Sequence, residues 1–318
     1  MRDFEMYSPE DTISLNLAQN AQRLCALAEQ DISHLNDLAH ELVEERDLQE
    51  ILLSLPELAL SDVSLSQHAI EANKTPLTRL SDSLFLSRRL LLCYSMCELL
   101  RKRGMLANDA FFSDSPVQFD ENPHIIYQKS GYADSAYLRF ASFFKEPHAT
   151  YTSSFVSACE DVYNGLCDYC ILPIESSAEG LLGSFFRLIL KYDLKIAATC
   201  DVCEQEHRVT RFALLRRTML PSLLKSTCNT VFEISFAQGK HSELSDLLTA
   251  ASFFGIQTES IDSLPNEEEQ GNAVLHLLFS SSGGDFEGLL MYLSMALPHY
   301  TPIGLYSHLS KKKGLNYQ

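Results

Sequence analysis

The run Asp168-Tyr-Cys-Ile-Leu-Pro-Ile-Glu-Ser-Ser-Ala-Glu-Gly180 constrains this chain more than any other stretch. It starts as a short apolar strand, turns at Pro173, sets Glu175, Ser176 and Ser177 just past the strand end, and reaches Gly180 ahead of an apolar helix. Open α/β sheets keep their ligand chemistry in the crevice outside the carboxyl ends of the strands, which is where such residues would stand. The surroundings alternate in the same way. Residues 124–128 read as a strand, 135–144 as a helix, 150–155 as an edge segment, 157–164 as a helix and 194–199 as a strand. Leu182, Phe185, Phe186, Ile189 and Leu190 form one apolar face of a helix over 181–192. Such alternation builds a small α/β layer.

Composition narrows the class of partner. With 318 residues the chain has room for two or three domains. A net charge of -17 argues against nucleic acid and against an anionic membrane, both of which call for basic surface. Met1-Arg-Asp-Phe-Glu5 carries no secretory signal, and the apolar stretch 84–100 is interrupted by Arg88 and Arg89, so a cytoplasmic protein is expected. Nine unevenly spread cysteines fit a reducing compartment.

The first hundred residues read as all-α. Ser8-Pro-Glu-Asp11 opens a helix with a cap, a proline at the first position and acids in the first turn. Leu17, Ala21, Leu24, Ala28, Leu35, Leu38 and Leu42 then recur at helical steps. Residues 63–72 are a weaker helical stretch. A further helix over 81–103 ends in Arg101-Lys-Arg103 and Gly104. The polar segment 108–122 reads as a linker. Toward the C-terminus, strand 229–236, helix 242–253, strands 256–261 and 273–279, helix 286–297 and a short strand near 303–306 follow in βαββαβ order.

Several of these residues resemble the prephenate dehydratase family. Its Pro-Ile-Glu-Asn-Ser strand end appears as Pro173-Ile-Glu-Ser-Ser177, its Thr-Arg-Phe triplet as Thr210-Arg-Phe212, and the helix before the motif as Phe155-Val-Ser-Ala-Cys-Glu-Asp-Val-Tyr-Asn-Gly165. The resemblance implies an α+β protein in three parts: an N-terminal helical domain (1–106), a dehydratase-like α/β unit (122–217) and a C-terminal ACT-like domain (228–308). In that family the Thr protonates the departing hydroxyl. Thr210 would take that role, Arg211 would hold a substrate carboxylate, Phe212 would pack behind them, and Glu175 and Ser177 match the family's Glu and Ser. Ser176 stands where the family has Asn. Gly131 and Ser135 match part of its glycine-rich helix start. In the ACT-like part, Gly239, Asp262 and Ser263 fall at ligand-sensing positions, with Leu264 replacing an arginine. The implied ligand is prephenate-like or an aromatic amino acid, and a homodimer is expected.

Ten residues separate Thr199 from Thr210, where the family inserts a second lobe. No lobe fits there, so strands over 195–202 and 209–215 are expected to join directly as a hairpin, leaving dehydration weak or lost. The alternative is a non-enzymatic sensor or scaffold. The helical domain resembles chorismate mutase faintly, with Arg23, Arg46, Lys74, Arg79, Arg88 and Arg89 available to hold carboxylates, and a plain dimerisation or capping module stands beside that reading.

Cysteine spacing adds one more candidate. Cys200, Cys203 and His207 could offer zinc ligands around the hairpin, with Cys228 or Glu206 as a fourth, whereas Cys167 and Cys170 read as strand thiols. There is no phosphate loop, dinucleotide fingerprint or nucleophile arrangement in the sequence, and no cofactor is expected.

Overall fold

The computed structural model describes residues 32–44, 46–55, 76–106, 111, 121–203, 208–219, 230–237, 241–265 and 273–309. The chain divides into two units, Met1–Leu106 and Ala107–Gln318. In the first, three helices are described: α1 (32–43), α2 (48–55) and α3 (Pro76–Lys102). Asp47 starts α2 as a reciprocal cap. Its carboxylate accepts from the Glu50 amide at 2.9 Å, while the Glu50 carboxylate accepts from the Asp47 amide at 3.4 Å. Ala39, Val43, Ile51, Leu55, Met96 and Leu100 are fully buried at helical spacing. Gly104, at φ 67°, stops α3 as expected. Helix α3 begins five residues before its expected start.

The helix opening at Ser8, the stripe before residue 32, the stretch 63–72 and most of the segment 108–122 lie outside the described residues. Of the basic side chains offered for carboxylates, Arg46 and Arg88 are exposed, while Arg23, Lys74 and the Arg79 side chain lie outside the described residues.

The second unit carries β1 (His124–Gln128), α4 (Gly131–Ala141), β2 (His148–Thr152), α5 (Phe155–Tyr163), β3 (Tyr169–Ser176), β4 (Gly180–Leu181) and α6 (Gly183–Lys191). After these come β5 (Lys195–Cys203), β6 (Val209–Arg216), β7 (Thr230–Ala237), α7 (His241–Phe253), β8 (Gln257–Pro265), β9 (Ala273–Ser281), α8 (Phe286–Ala296) and β10 (Thr301–Leu309). All ten described strands belong to one mixed sheet, ordered β2-β1-β3-β6-β5-β10-β7-β9-β8, with the short β4 beside β3. Strands β5 and β6 pair antiparallel from Lys195↔Arg216 to Cys203↔Val209, as the ten-residue spacing requires. The C-terminal strands follow the expected βαββαβ order. Its last strand, β10, then continues the sheet by pairing in parallel with β5.

Two helical layers cover the sheet. On one face α5 and α6 bury Ile126, Cys170, Leu172, Leu194, Ile196, Ala213, Leu215 and Tyr306, and the same layer reaches Val231, Val274 and Leu264 of the C-terminal strands. On the other face α4 buries Ile125, Tyr127, Tyr169, Ile171, Cys200, Phe212 and Leu214. Phe232, Phe279 and Phe286 are buried where α8 meets the C-terminal strands, the Phe232 ring in contact with each of the other two. Successive strand residues alternate faces, so neighbours such as Arg211 and Phe212 belong to different cores.

Two local expectations are corrected. Strand β3 does not turn at Pro173 but runs on to Ser176, because Pro173 sits beside a bulge in the β3–β6 ladder where its missing N–H costs no regular bond. Glu175 and Ser176 are therefore strand residues. Helix α4 starts at Gly131 rather than Ser135, because Ser130 caps it, its hydroxyl accepting from the Ala133 amide at 3.1 Å.

Candidate functional site

Strands β1, β2, β3, β5 and β10 all run the same way, so their carboxyl ends share one edge of the sheet. At that edge Glu175 of β3, Arg211 of β6, Asp201 of β5 and His308 of β10 meet. Ladder register puts Arg211 opposite both Glu175 and Asp201. Its guanidinium donates to Glu175 Oε2 at 2.7 Å through one terminal nitrogen and to Asp201 Oδ1 at 2.9 Å through Nε. Asp201 Oδ2 lies 3.1 Å from His308 Nε2, and His308 Nδ1 lies 2.9 Å from the Thr199 hydroxyl. With the proton on Nε2, the ring donates to Asp201 and accepts from Thr199.

Burial pushes the Asp201 carboxyl up, but hydrogen bonds and charges from His308 and Arg211 outweigh it and hold the group at about 2. Burial likewise opposes the charge on Arg211, and Asp201 and Glu175 overcome it, so its affinity for the proton rises. The cluster is a fixed cation held between two carboxylates, about one-third exposed.

The residues expected at the site divide between the two faces. Glu175 and Arg211 come together. Thr210 lies opposite Ser176 in the ladder and shares the α4 face with Phe212, so it points away from Arg211. Thr210 is 7% and Phe212 6% exposed. Ser177 latches the strand end, since its amide donates to the Val209 carbonyl at 2.8 Å and its hydroxyl accepts from the Val209 amide at 3.0 Å. The Ser176 hydroxyl accepts from Ala178 N at 3.3 Å. Ser135 lies inside α4 and donates to the Gly131 carbonyl at 2.8 Å. In the C-terminal half, Asp262 stands opposite His276 on the α6 face and Ser263 is exposed on the other; Gly239 lies outside the described residues.

Sequence reasoning missed a second polar group. It continues from Thr199 along the α5–α6 face toward β8. Tyr306 donates to Glu233 Oε1, the other Glu233 oxygen lies 3.1 Å from His276 Nε2, and His276 Nδ1 lies 3.7 Å from Asp262 Oδ2. The His276 ring packs 4.2 Å from that of Phe186 of α6. Burial, then the Glu233 carboxylate, push the Tyr306 hydroxyl well above its ordinary value. The signal was present in polar residues two apart within apolar strands, Thr199 with Asp201 and Tyr306 with His308, and in single polar residues within Phe232-Glu-Ile-Ser-Phe236 and Leu275-His-Leu277.

Thr199, His308 and Asp201 follow the hydroxyl–imidazole–carboxylate order of a nucleophilic triad. Thr199 is 1% exposed, so no substrate carbonyl reaches its hydroxyl. The cysteine candidates separate as well. Cys200 lies in the α4-side core with its thiol pushed up to about 12 by burial, whereas Cys203, three residues on, is exposed on the opposite face; His207 lies outside the described residues. Cys170 is buried and its thiol raised well above the ordinary value by a hydrogen bond to Cys159, then by burial. Among the described residues no three His, Cys, Asp or Glu side chains group to hold a metal ion, and no helix is long and apolar enough to cross a membrane.

No family model matches the chain, and no curated protein matches it. Among solved structures it is similar to prephenate dehydratase from Streptococcus mutans, with 15% identity and a TM-score of 0.49 over 59% of this chain and 100% of that one. It is similar also to GqqA, described as a novel type of quorum quenching acylase, with 16% identity and a TM-score of 0.45 over 58% of this chain and 94% of that one. A third is prephenate dehydratase from Arthrobacter aurescens in complex with L-Phe, with 13% identity and a TM-score of 0.48 over 60% and 92%. These likenesses concern the course of the chain alone.

Proposed function

We propose that this protein is a diverged prephenate dehydratase-like protein that has given up efficient dehydration and serves as a small-molecule-responsive scaffold. The observation that supports the reading is that Arg211, the cation expected to anchor a substrate carboxylate, is already held between the chain's own Glu175 and Asp201. Dehydration requires the acid that protonates the leaving hydroxyl and the cation that anchors the carboxylate to meet on one substrate molecule. Here Arg211 is already matched by Glu175 and Asp201, and a substrate carboxylate would have to displace one of them. The sheet also passes without interruption from β6 through β5 to β10, where a second lobe would otherwise open a cleft.

The ligand class we assign, as the resemblance implies, is a carboxylate-bearing aromatic compound; Ser176 at the end of β3 and Gly131 at the start of α4 stand at the carboxyl edge. Among the described strands β8 ends the sheet, and pairing of two such edges offers the route to a homodimer. The test is turnover of prephenate by the purified full chain at neutral pH, beside a Thr210→Ala variant. We expect phenylpyruvate at the spontaneous rate from both proteins, and a rise in melting temperature of the unmodified chain with prephenate or phenylalanine. Turnover above the spontaneous rate that disappears in Thr210→Ala would overturn the reading.

A further inference from the structure

Roughly 20 Å from Glu175, at the start of β3 and the end of β6, lies a cavity of about 240 Å³. That is smaller than the pockets that take drug-sized ligands and suits a small metabolite. Arg216, Arg217, Thr218, Asp168, Cys167 and Gly165 line it. Arg216 is half-buried over the Tyr169 ring, 5.5 Å from its centre, and one terminal nitrogen donates to the Tyr169 hydroxyl at 3.4 Å. The Tyr169 ring is itself backed by Phe144 at 5.3 Å. The contact holds the guanidinium beside the ring, and among the described residues most of its five N–H donors remain available to a ligand.

The local charges do not balance. Burial lowers the proton affinity of Arg216, and the Tyr169 hydroxyl, by its charge and hydrogen bond, and the Asp168 carboxylate offset this only in part. Among the described residues no carboxylate forms an ion pair with Arg216 or with the exposed Arg217. The Asp168 carboxylate accepts from the His124 amide at 2.8 Å. Lys195, opposite Arg216 in the ladder, gives its ammonium to Asp193 at 2.6 Å and to the Pro302 carbonyl at 2.9 Å. The Cys167 thiol is raised by burial, then by Asp161 and Asp168, and adds no negative charge at neutral pH. Two guanidiniums therefore face one already committed carboxylate across an open cavity.

We infer that this cavity is an oxyanion site, in which Arg216 and Arg217, with the Thr218 hydroxyl, hold the carboxylate or phosphate group of a small metabolite. A planar guanidinium fork is suited to such a group, because two parallel N–H donors match two oxygens. The site is separate from the carboxyl edge and stands independently of the dehydratase question.

The test is calorimetric titration of the full chain with potassium phosphate and, separately, with potassium succinate, each against potassium chloride of equal ionic strength. Saturable binding is expected for at least one of them, weakened about tenfold or more in Arg217→Ala, whose side chain is exposed and whose loss leaves the fold intact. Arg216→Gln is expected to weaken binding further, and its melting curve checks that it folds. Preference for phosphate would assign a phosphate-bearing ligand and preference for succinate a carboxylate. Saturable binding of neither ion, or equal binding by both variants and the unmodified chain, would overturn the inference.

Discussion

Two polar groups on the same face of this sheet each pair a carboxylate with an imidazole and serve different ends. At the carboxyl edge, Glu175, Arg211, Asp201 and His308 form a chain of charge-assisted bonds with side chains 26–45% exposed. Behind it, Thr199, Tyr306, Glu233 and His276 are 1–2% exposed beneath the helical layer. Water can replace a lost partner in the first group but not in the second, so deleting one member there strands the others in a dry interior. Burial, more than residue identity, separates a group able to exchange partners with a ligand from one that holds the sheet in a single arrangement.

Glu233→Ala should break that contrast most severely. It strands both the Tyr306 hydroxyl and His276 Nε2, and denaturant unfolding should show a loss of about 3–5 kcal/mol. Gly304→Ala comes next, at about 1–3 kcal/mol by thermal unfolding, because a Cβ there meets the Ile196 backbone oxygen at 2.8 Å, where β10 joins β5.

Asp201→Asn removes the depressed carboxylate of the edge cluster. Its folded value of about 2 lies below the ordinary 3.8, so its contribution is complete above about pH 4 and is lost as pH falls through about 2. Allowing for partial exposure, the substitution should cost about 1–2 kcal/mol at neutral pH and flatten the acid limb of the stability profile. Glu175→Gln, at the more exposed end of the same cluster, should cost less than about 1 kcal/mol. If Glu175→Gln proved as costly as Glu233→Ala, the contrast between edge and interior would fail.

Much of the local structure was legible in the sequence because apolar alternation and capping residues mark elements directly. Strand β1 falls on its expected residues, and β5 and β6 pair as the ten-residue gap demands. Pro173 misled because a proline reads as a turn unless the neighbouring strand is known to bulge beside it. Ser135 misled because a hydroxyl near a helix start caps it only from the position before it, which Ser130 holds. The junction of β10 with β5 was not legible, since a pairing between residues about a hundred positions apart leaves no local mark. Without it, Asp201 and His308 had no reason to be read together. Glu233 and His276 stand as single polar residues within apolar strands, and only the reach of α6 across that face shows that they are buried.

The central claim is that the sheet is one body, continuous where β10 pairs with β5. Native-state hydrogen exchange tests it most directly. Amides of β3, β5 and β6 should exchange through the same opening, at the same denaturant dependence, as those of β7, β9 and β10. Exchange of β7, β9 and β10 through a separate opening of lower free energy, with β3, β5 and β6 still protected, would contradict it.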